Sequence, residues 1–287
     1  MESKCLQVIF HVSRANEEFI DFLDNFFEVT AVNYLDSGEE EYVGYANYND
    51  FSEQAMLNQA ALAGIKLPSY QIIELKSENW LKDYVIKFDA FEVADFSIYG
   101  AHQQTPPITD KITLQIYAAT AFGSNHQTTR CCITAISELY HQGFLPTSVL
   151  DMGCGSGILS LCAAKLWPNT KVTGVDIDDE AVVVTISNAQ NNGVSSQIEA
   201  FVGDGYADSR LRQRFPYDLI LSNILANPLK EFAPKLAEHL SSGGYAVLSG
   251  FVDNQVEEVV NAHISQGLKL RKIYTIDNWR AALLQKE

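Results

Sequence analysis

Val149-Leu150-Asp151-Met152-Gly153-Cys154-Gly155-Ser156-Gly157 decides how this chain folds. An apolar run ends in a glycine-rich turn, and Ile158 to Leu166 continues with helical character. A strand, a tight turn and a helix N-terminus put backbone N–H groups at the carboxyl end of a sheet. Glycine is needed there because a β-carbon would hold a ligand off the backbone. Taken alone the turn is weak evidence, since many α/β proteins have one.

The next strand sharpens it. Lys171-Val172-Thr173-Gly174-Val175-Asp176-Ile177-Asp178 ends in an acid, Asp176, 19 residues after Gly157. An acid at the end of a second strand can accept both hydroxyls of a ribose. The glycine spacing, however, is G-x-G-x-G rather than the dinucleotide pattern G-x-G-x-x-G. Asp151 also brings negative charge to where a pyrophosphate would lie. Such a turn suits a ligand with an amine and a sulfonium, and S-adenosylmethionine is one. The plainer alternative is that Asp151 only caps the turn and Asp176 caps the helix over 178–191.

Downstream, Phe201-Val202-Gly203-Asp204 offers an acid after a third strand, where an adenine amino group could be read. Tyr217 to Asn223 reads as a buried strand, and Asn223-Ile224-Leu225-Ala226-Asn227-Pro228-Leu229 puts an amide at the sheet's carboxyl edge. An amide oxygen there can hold an amine and orient its lone pair. The rival role for Asn223 is N-cap of the helix ending near His239. Ser242-Gly243-Gly244 turns into a fifth strand, and Lys269 to Ile276 with Trp279 to Leu284 makes a terminal hairpin. Five parallel strands plus an antiparallel hairpin give a seven-stranded Rossmann-like methyltransferase sheet.

Upstream, a helix is expected over 129–141, and the stretch 78–125 reads as a linker followed by short strands of the same unit. The first 75 residues follow the order βαββαβ. Strands are expected at Leu6–His11, Val29–Leu35, Tyr42–Tyr48 and Tyr70–Leu75, with one helix capped by Ser13 or Asn16 and a second running from about Phe51 to Ala63. That is a ferredoxin-like plan. The 287 residues carry 20 Lys+Arg and 36 Asp+Glu, a net −16. Four basic and fourteen acidic residues fall at or before Trp80, a net −10 there. This charge repels phosphate backbones and anionic lipid, and is compatible with a basic protein partner. No apolar run reaches the length of a membrane span and no signal-peptide core follows Met1, so a cytoplasmic protein is expected. The five cysteines form no C-x-x-C pair, which points to neither a metal site nor a disulfide framework.

Ala121-Phe122-Gly123-Ser124-Asn125-His126-Gln127-Thr128-Thr129, the 151–157 turn, Gly174-Val175-Asp176-Ile177-Asp178 and the Asn223–Leu229 segment together resemble the PrmA family. These are methyltransferases of the large-subunit ribosomal protein L-eleven (L11). Glu78-Asn79-Trp80 and Asn278-Trp279-Arg280 extend the likeness over nearly the whole chain. The resemblance implies a class I AdoMet-dependent domain behind a smaller ferredoxin-like α+β domain. The boundaries are 1–77 for substrate recognition, 78–125 for the linker and accessory strands, and 126–287 for cofactor binding. It implies methylation of lysine side chains and of the N-terminal amine of L11, gripped by the N-terminal domain. Implied cofactor contacts are Thr129, Gly153, Asp176 and Asn223, with Asp151 and Gly155 in the same turn and Asp204 beyond the third strand. Asn223 and His126 are the candidate catalytic residues. His126 titrates nearest neutrality and could accept the amine's proton, or it could only order its loop, since water suffices as the base.

Two departures stand out. The family reads A-F-G-T-G-x-H-x-T-T, and Asn125 replaces its second glycine; Asn tolerates left-handed backbone better than other residues do. Tyr117-Ala118-Ala119-Thr120 stands where an acid-Pro-Gly approach is usual. Three other readings remain open: a methyltransferase of another protein or small amine, an inactive AdoMet-binding scaffold on the ribosome, and nicotinamide redox chemistry. A monomer is expected.

Overall fold

The N-terminal apolar run forms β1 (Cys5–Val12). The computed structural model describes residues 5–12, 15–27, 29–34, 40–47, 51–75, 88–103, 105–117 and 126–287. Helix α1 (Glu17–Phe26) starts where Asn16, in extended backbone, accepts the Phe19 N–H at 2.9 Å. Then come β2 (Val29–Tyr34), β3 (Glu40–Asn47), α2 (Glu53–Leu62) and β4 (Tyr70–Leu75). The sheet order is β2-β3-β1-β4, with β1 antiparallel to both β3 and β4. Val8 and Phe10 of the sheet pack with Phe19 and Leu23 of α1 and Met56 of α2. Residues 36–38 between the expected second and third strands, the Glu78-Asn79-Trp80 segment and the Gly123-Ser124-Asn125 stretch lie outside the described residues.

The chain divides into two compact units, Met1–Asp83 and Tyr84–Glu287. The second opens with β5 (Phe91–Val93), β6 (Phe96–Gly100) and β7 (Ile112–Ile116), a small sheet in that order with β6 and β7 parallel. Helix α3 (Gln127–His141) begins two residues before the expected start, because His126 caps it. An alternating series follows: β8 (Ser148–Met152), α4 (Ile158–Leu166), β9 (Lys171–Asp176), α5 (Asp179–Asn191), β10 (Ile198–Val202) and β11 (Tyr217–Asn223). Helix α6 (Ala226–His239), β12 (Leu240–Val252), α7 (Val256–Ile264), β13 (Leu268–Ile276) and β14 (Trp279–Lys286) complete it.

Among the described residues the large sheet has seven strands in the order β10-β9-β8-β11-β12-β14-β13. The first five are parallel, and β14 runs antiparallel to β12 and β13. This is the class I methyltransferase sheet. After β8 the chain moves outward to β9 and β10, then returns to the other side of β8 as β11. Where the order reverses, the crevice beyond the carboxyl ends of β8 and β11 is the natural ligand position. Val149, Leu150, Leu219, Ile220 and Leu221 are all fully buried, as strands covered on both faces require. No helix among the described residues is long and apolar enough to cross a membrane.

Candidate functional site

Beyond β8 the turn takes three glycines through left-handed backbone, at φ +74° for Gly153, +54° for Gly155 and +75° for Gly157. The Gly153 and Cys154 N–H groups both donate to the Val175 carbonyl, at 2.8 and 3.1 Å, which lays the turn across β9. A β-carbon at Gly153 would collide with Ile224, and one at Gly157 would come within 2.9 Å of Thr185. Nothing lies within 4 Å of that position at Gly155, so the turn is open there to a ligand. Asp151 is 1% exposed. Its Oδ2 accepts the Ser160 N–H at 3.0 Å and the Ser160 hydroxyl at 2.6 Å, satisfying an otherwise orphan donor in the first turn of α4. Burial pushes its carboxyl up to about 7 against the pull of the two Ser160 bonds.

At the end of β9 two acids divide the work. Asp178 caps α5 by accepting the Glu180 N–H at 2.9 Å. Asp176 instead braces the glycine turn: Oδ2 accepts the Gly155 N–H at 2.8 Å, and Oδ1 accepts the Asp178 N–H at 3.1 Å. Each carboxylate oxygen keeps a second acceptor site. The Gly203 N–H donates to the Asp176 carbonyl at 2.8 Å, which brings the exposed Asp204 alongside.

At the end of β11 the capping alternative for Asn223 falls away. The N-cap of α6 is Leu225, with no side-chain cap. The Asn223 Nδ2 donates to Thr129 Oγ1 at 3.1 Å, bridging 94 residues of sequence. Thr129 is itself only 3% exposed, so it holds the amide from behind and leaves Oδ1 as the acceptor Asn223 can offer. Next to it, the Ile224 N–H donates to the Ser249 carbonyl at 3.1 Å. His126 sits at the N-terminus of α3, where its Nδ1 accepts the Thr128 N–H at 3.3 Å. A backbone N–H can only donate, so the neutral ring carries its hydrogen on Nε2. A proton taken up by this ring would land on Nδ1 and break the cap, and desolvation already lowers its pKa. The ring packs edge-on against Trp279 at 4.6 Å.

These pieces surround one cleft of about 530 Å³, within the usual range for a small-molecule site. His126, Thr129, Asp151, Gly153, Gly155, Asp176, Asp204 and Asn223 all line it, so the residues singled out from sequence come together. The sequence reading did not assign walls to Ile177, Ile224, Leu225, Phe232 and Trp279, which also line the cleft. Trp279 opens β14, and its place in Asn278-Trp279-Arg280 was its only signal.

With this geometry in hand, known proteins give a direct answer. The chain matches the family described as Ribosomal protein L11 methyltransferase (PrmA) over residues 5–287. It belongs to that family. A Ribosomal protein L11 methyltransferase from Brucella suis is 33% identical over 265 residues, covering 92% of this chain and 91% of that protein. One from Rhodopseudomonas palustris is 36% identical over 234 residues, covering 81% and 78%. The crystal structure of ribosomal protein L11 methylase from Lactobacillus delbrueckii subsp. bulgaricus superposes with a TM-score of 0.61 at 26% identity. It covers 70% of this chain and 98% of that one. As a member of the L11 methyltransferase family, the chain carries its cleft at the switch point of a class I sheet.

Proposed function

We propose that this protein transfers methyl groups from S-adenosylmethionine to amines of ribosomal protein L11, namely lysine side chains and the N-terminal amine. The observation that carries the reading is the meeting, in one cleft, of the glycine turn braced by Asp176 with an Asn223 amide whose nitrogen is tied to Thr129. The cleft fits the cofactor by its donor set: an open turn at Gly155, two acids at successive strand ends, and no lysine or arginine among the described residues of its walls. When bound, S-adenosylmethionine supplies an electrophilic methyl group on a sulfonium sulfur.

Asp176 would accept hydrogen bonds from the ribose hydroxyls through its remaining acceptor sites, and Asp204 would read the adenine amino group. Asn223 Oδ1 would accept a hydrogen bond from the substrate amine and so orient its lone pair for the transfer. The ammonium proton passes first to water, because His126 Nδ1 is committed to its cap. The bound cofactor would supply the methyl carbon for the new C–N bond, its sulfur keeping the electron pair of the C–S bond. His126 and Trp279 form the wall beside the approaching amine. The protein acts as a cytoplasmic monomer, with basic L11 as its partner and no direct contact with free nucleic acid. Incubation with recombinant L11 and methyl-labelled cofactor tests this: label should appear in L11 at lysine and N-terminal amines by mass spectrometry. Absence of label in L11, under conditions where the cofactor binds, would refute the substrate.

A further inference from the structure

One face of α5 carries Thr185 and Asn188, and its C-cap residue Asn192 continues that face; each side chain bonds to backbone outside the helix. Thr185 Oγ1 donates to the Gly155 carbonyl at 2.9 Å. Asn188 is fully buried, and all of its amide is used. Its Nδ2 donates to the Ser156 carbonyl at 2.8 Å and to the Tyr117 carbonyl at 3.0 Å, while Oδ1 accepts the Tyr117 N–H at 2.8 Å. Asn192 repeats half of this pattern. Its Nδ2 donates to the Gln115 carbonyl at 2.7 Å, and its Oδ1 accepts the Gln115 N–H at 3.0 Å.

We propose that Asn188 is a positioning residue for the cofactor, a clamp that fixes the glycine turn against the end of β7. A peptide unit is planar, so holding a carbonyl oxygen fixes the direction of the N–H across the same bond. Thr185 and Asn188 hold the Gly155 and Ser156 carbonyls and thereby set the Ser156 and Gly157 N–H groups; the latter donates to the Cys154 carbonyl at 2.7 Å. Through Tyr117 the same amide fixes the strand end from which His126 follows nine residues later. Asn192 makes the equivalent bonds to β7 and none to the turn, and its Nδ2 also donates to the Asn188 carbonyl at 2.8 Å, so it serves as the control for loss of the β7 bonds. A buried asparagine with a purely structural role would cost stability wherever it was lost. A clamp on the turn would cost affinity only at position 188.

The inference rests on the cofactor reading above, and its test separates the two. Asn188→Asp and Asn192→Asp keep side-chain volume and the acceptor oxygen but remove the amide donations. Both should lower the melting temperature. Calorimetry should find S-adenosylmethionine binding weakened tenfold or more in Asn188→Asp and within twofold of the parent in Asn192→Asp. In the ligand-free proteins, hydrogen exchange at the amides of residues 155–157 should quicken in Asn188→Asp alone. Equal loss of affinity in both variants, or parent-like affinity and turn exchange in Asn188→Asp, would overturn the clamp. If the parent itself fails to bind the cofactor, that reading falls, and the exchange comparison decides the clamp alone.

Discussion

Asp176 accepts two backbone N–H bonds before any ligand arrives, one from the glycine turn and one from its own loop. Removing it therefore takes away a ligand acceptor and a brace together. Asp176→Ala should weaken S-adenosylmethionine binding by roughly 1.5–3 kcal/mol, the scale of lost bonds to a charged acceptor. Parent-like affinity in calorimetry would reduce Asp176 to a loop residue. Asn223 is proposed to act on the other reactant. Asn223→Ala should lower kcat by about 10²-fold with little change in cofactor affinity, a modest share of what orientation supplies. Thr129→Val, which keeps shape and removes the acceptor holding the amide, should shift kcat in the same direction by a smaller factor. A variant that lost cofactor affinity and kept full kcat at saturation would assign the pair to the cofactor instead. Asp151 brings a pH dependence. Its folded carboxyl titrates at about 7, above the 3.8 of the free group, so the stability it contributes is complete below about pH 4 and lost as pH rises through about 7. A cationic ligand favours the ionised form, so cofactor affinity should climb between pH 6 and 8. Asp151→Asn should flatten that climb, and an unchanged slope would exclude this carboxyl as its source.

At the scale of elements, the reach of sequence reading depends on how local the determinants are. The strand, turn and helix from Val149 to Leu166 are contiguous, so their geometry follows from nine residues and their glycines. The acid at the end of β9 is legible for the same reason. The support of Asn223 is not: its partner Thr129 lies 94 residues away, and only the packing of α3 against the sheet brings them together. The burial of Asp151 was equally hidden, since sequence shows its charge and not the Ser160 bonds that absorb it. Trp279 reaches the cleft only because β14 inserts between β12 and β13. Gly250 belongs with these. It interrupts the pairing of β12 with β14 between Ser249 and Phe251, at φ +101°, and a β-carbon there would collide with the Ile224 carbonyl. Gly250→Ala should cost roughly 1–3 kcal/mol of stability and displace the Asn223-Ile224 loop, lowering kcat as well. Thermal melting at the parent's temperature would show that the bulge yields without strain.

At the scale of the whole molecule, the charge is concentrated in the first 80 residues, which contribute −10 of the net −16. None of the described residues lining the cleft comes from that unit. If it recruits a basic protein, the rate on intact L11 should fall as salt rises, because screening contracts to ~8 Å at physiological ionic strength. The rate on a short lysine peptide should change much less. A variant lacking residues 1–83, checked for folding, should keep cofactor affinity and lose most of its activity on intact L11. Parent-like activity on the whole protein would leave the acidic surface a role in solubility alone.

The two amides that hold β7 also decide what cannot attach to it. Among the described residues β7 is the last strand of the small sheet, and the outward N–H and C=O groups of residue 115 and of residue 117 just beyond it are those a further strand would seek. Asn192 and Asn188 fill them with the same alternation of donor and acceptor that a neighbouring strand presents. A helix thereby closes an edge that would otherwise template pairing with another chain, the usual first step of β-aggregation. The opposite edge, β5, is three residues long and offers little purchase. Colloidal behaviour during synthesis and storage, as much as chemistry, is written into those two side chains.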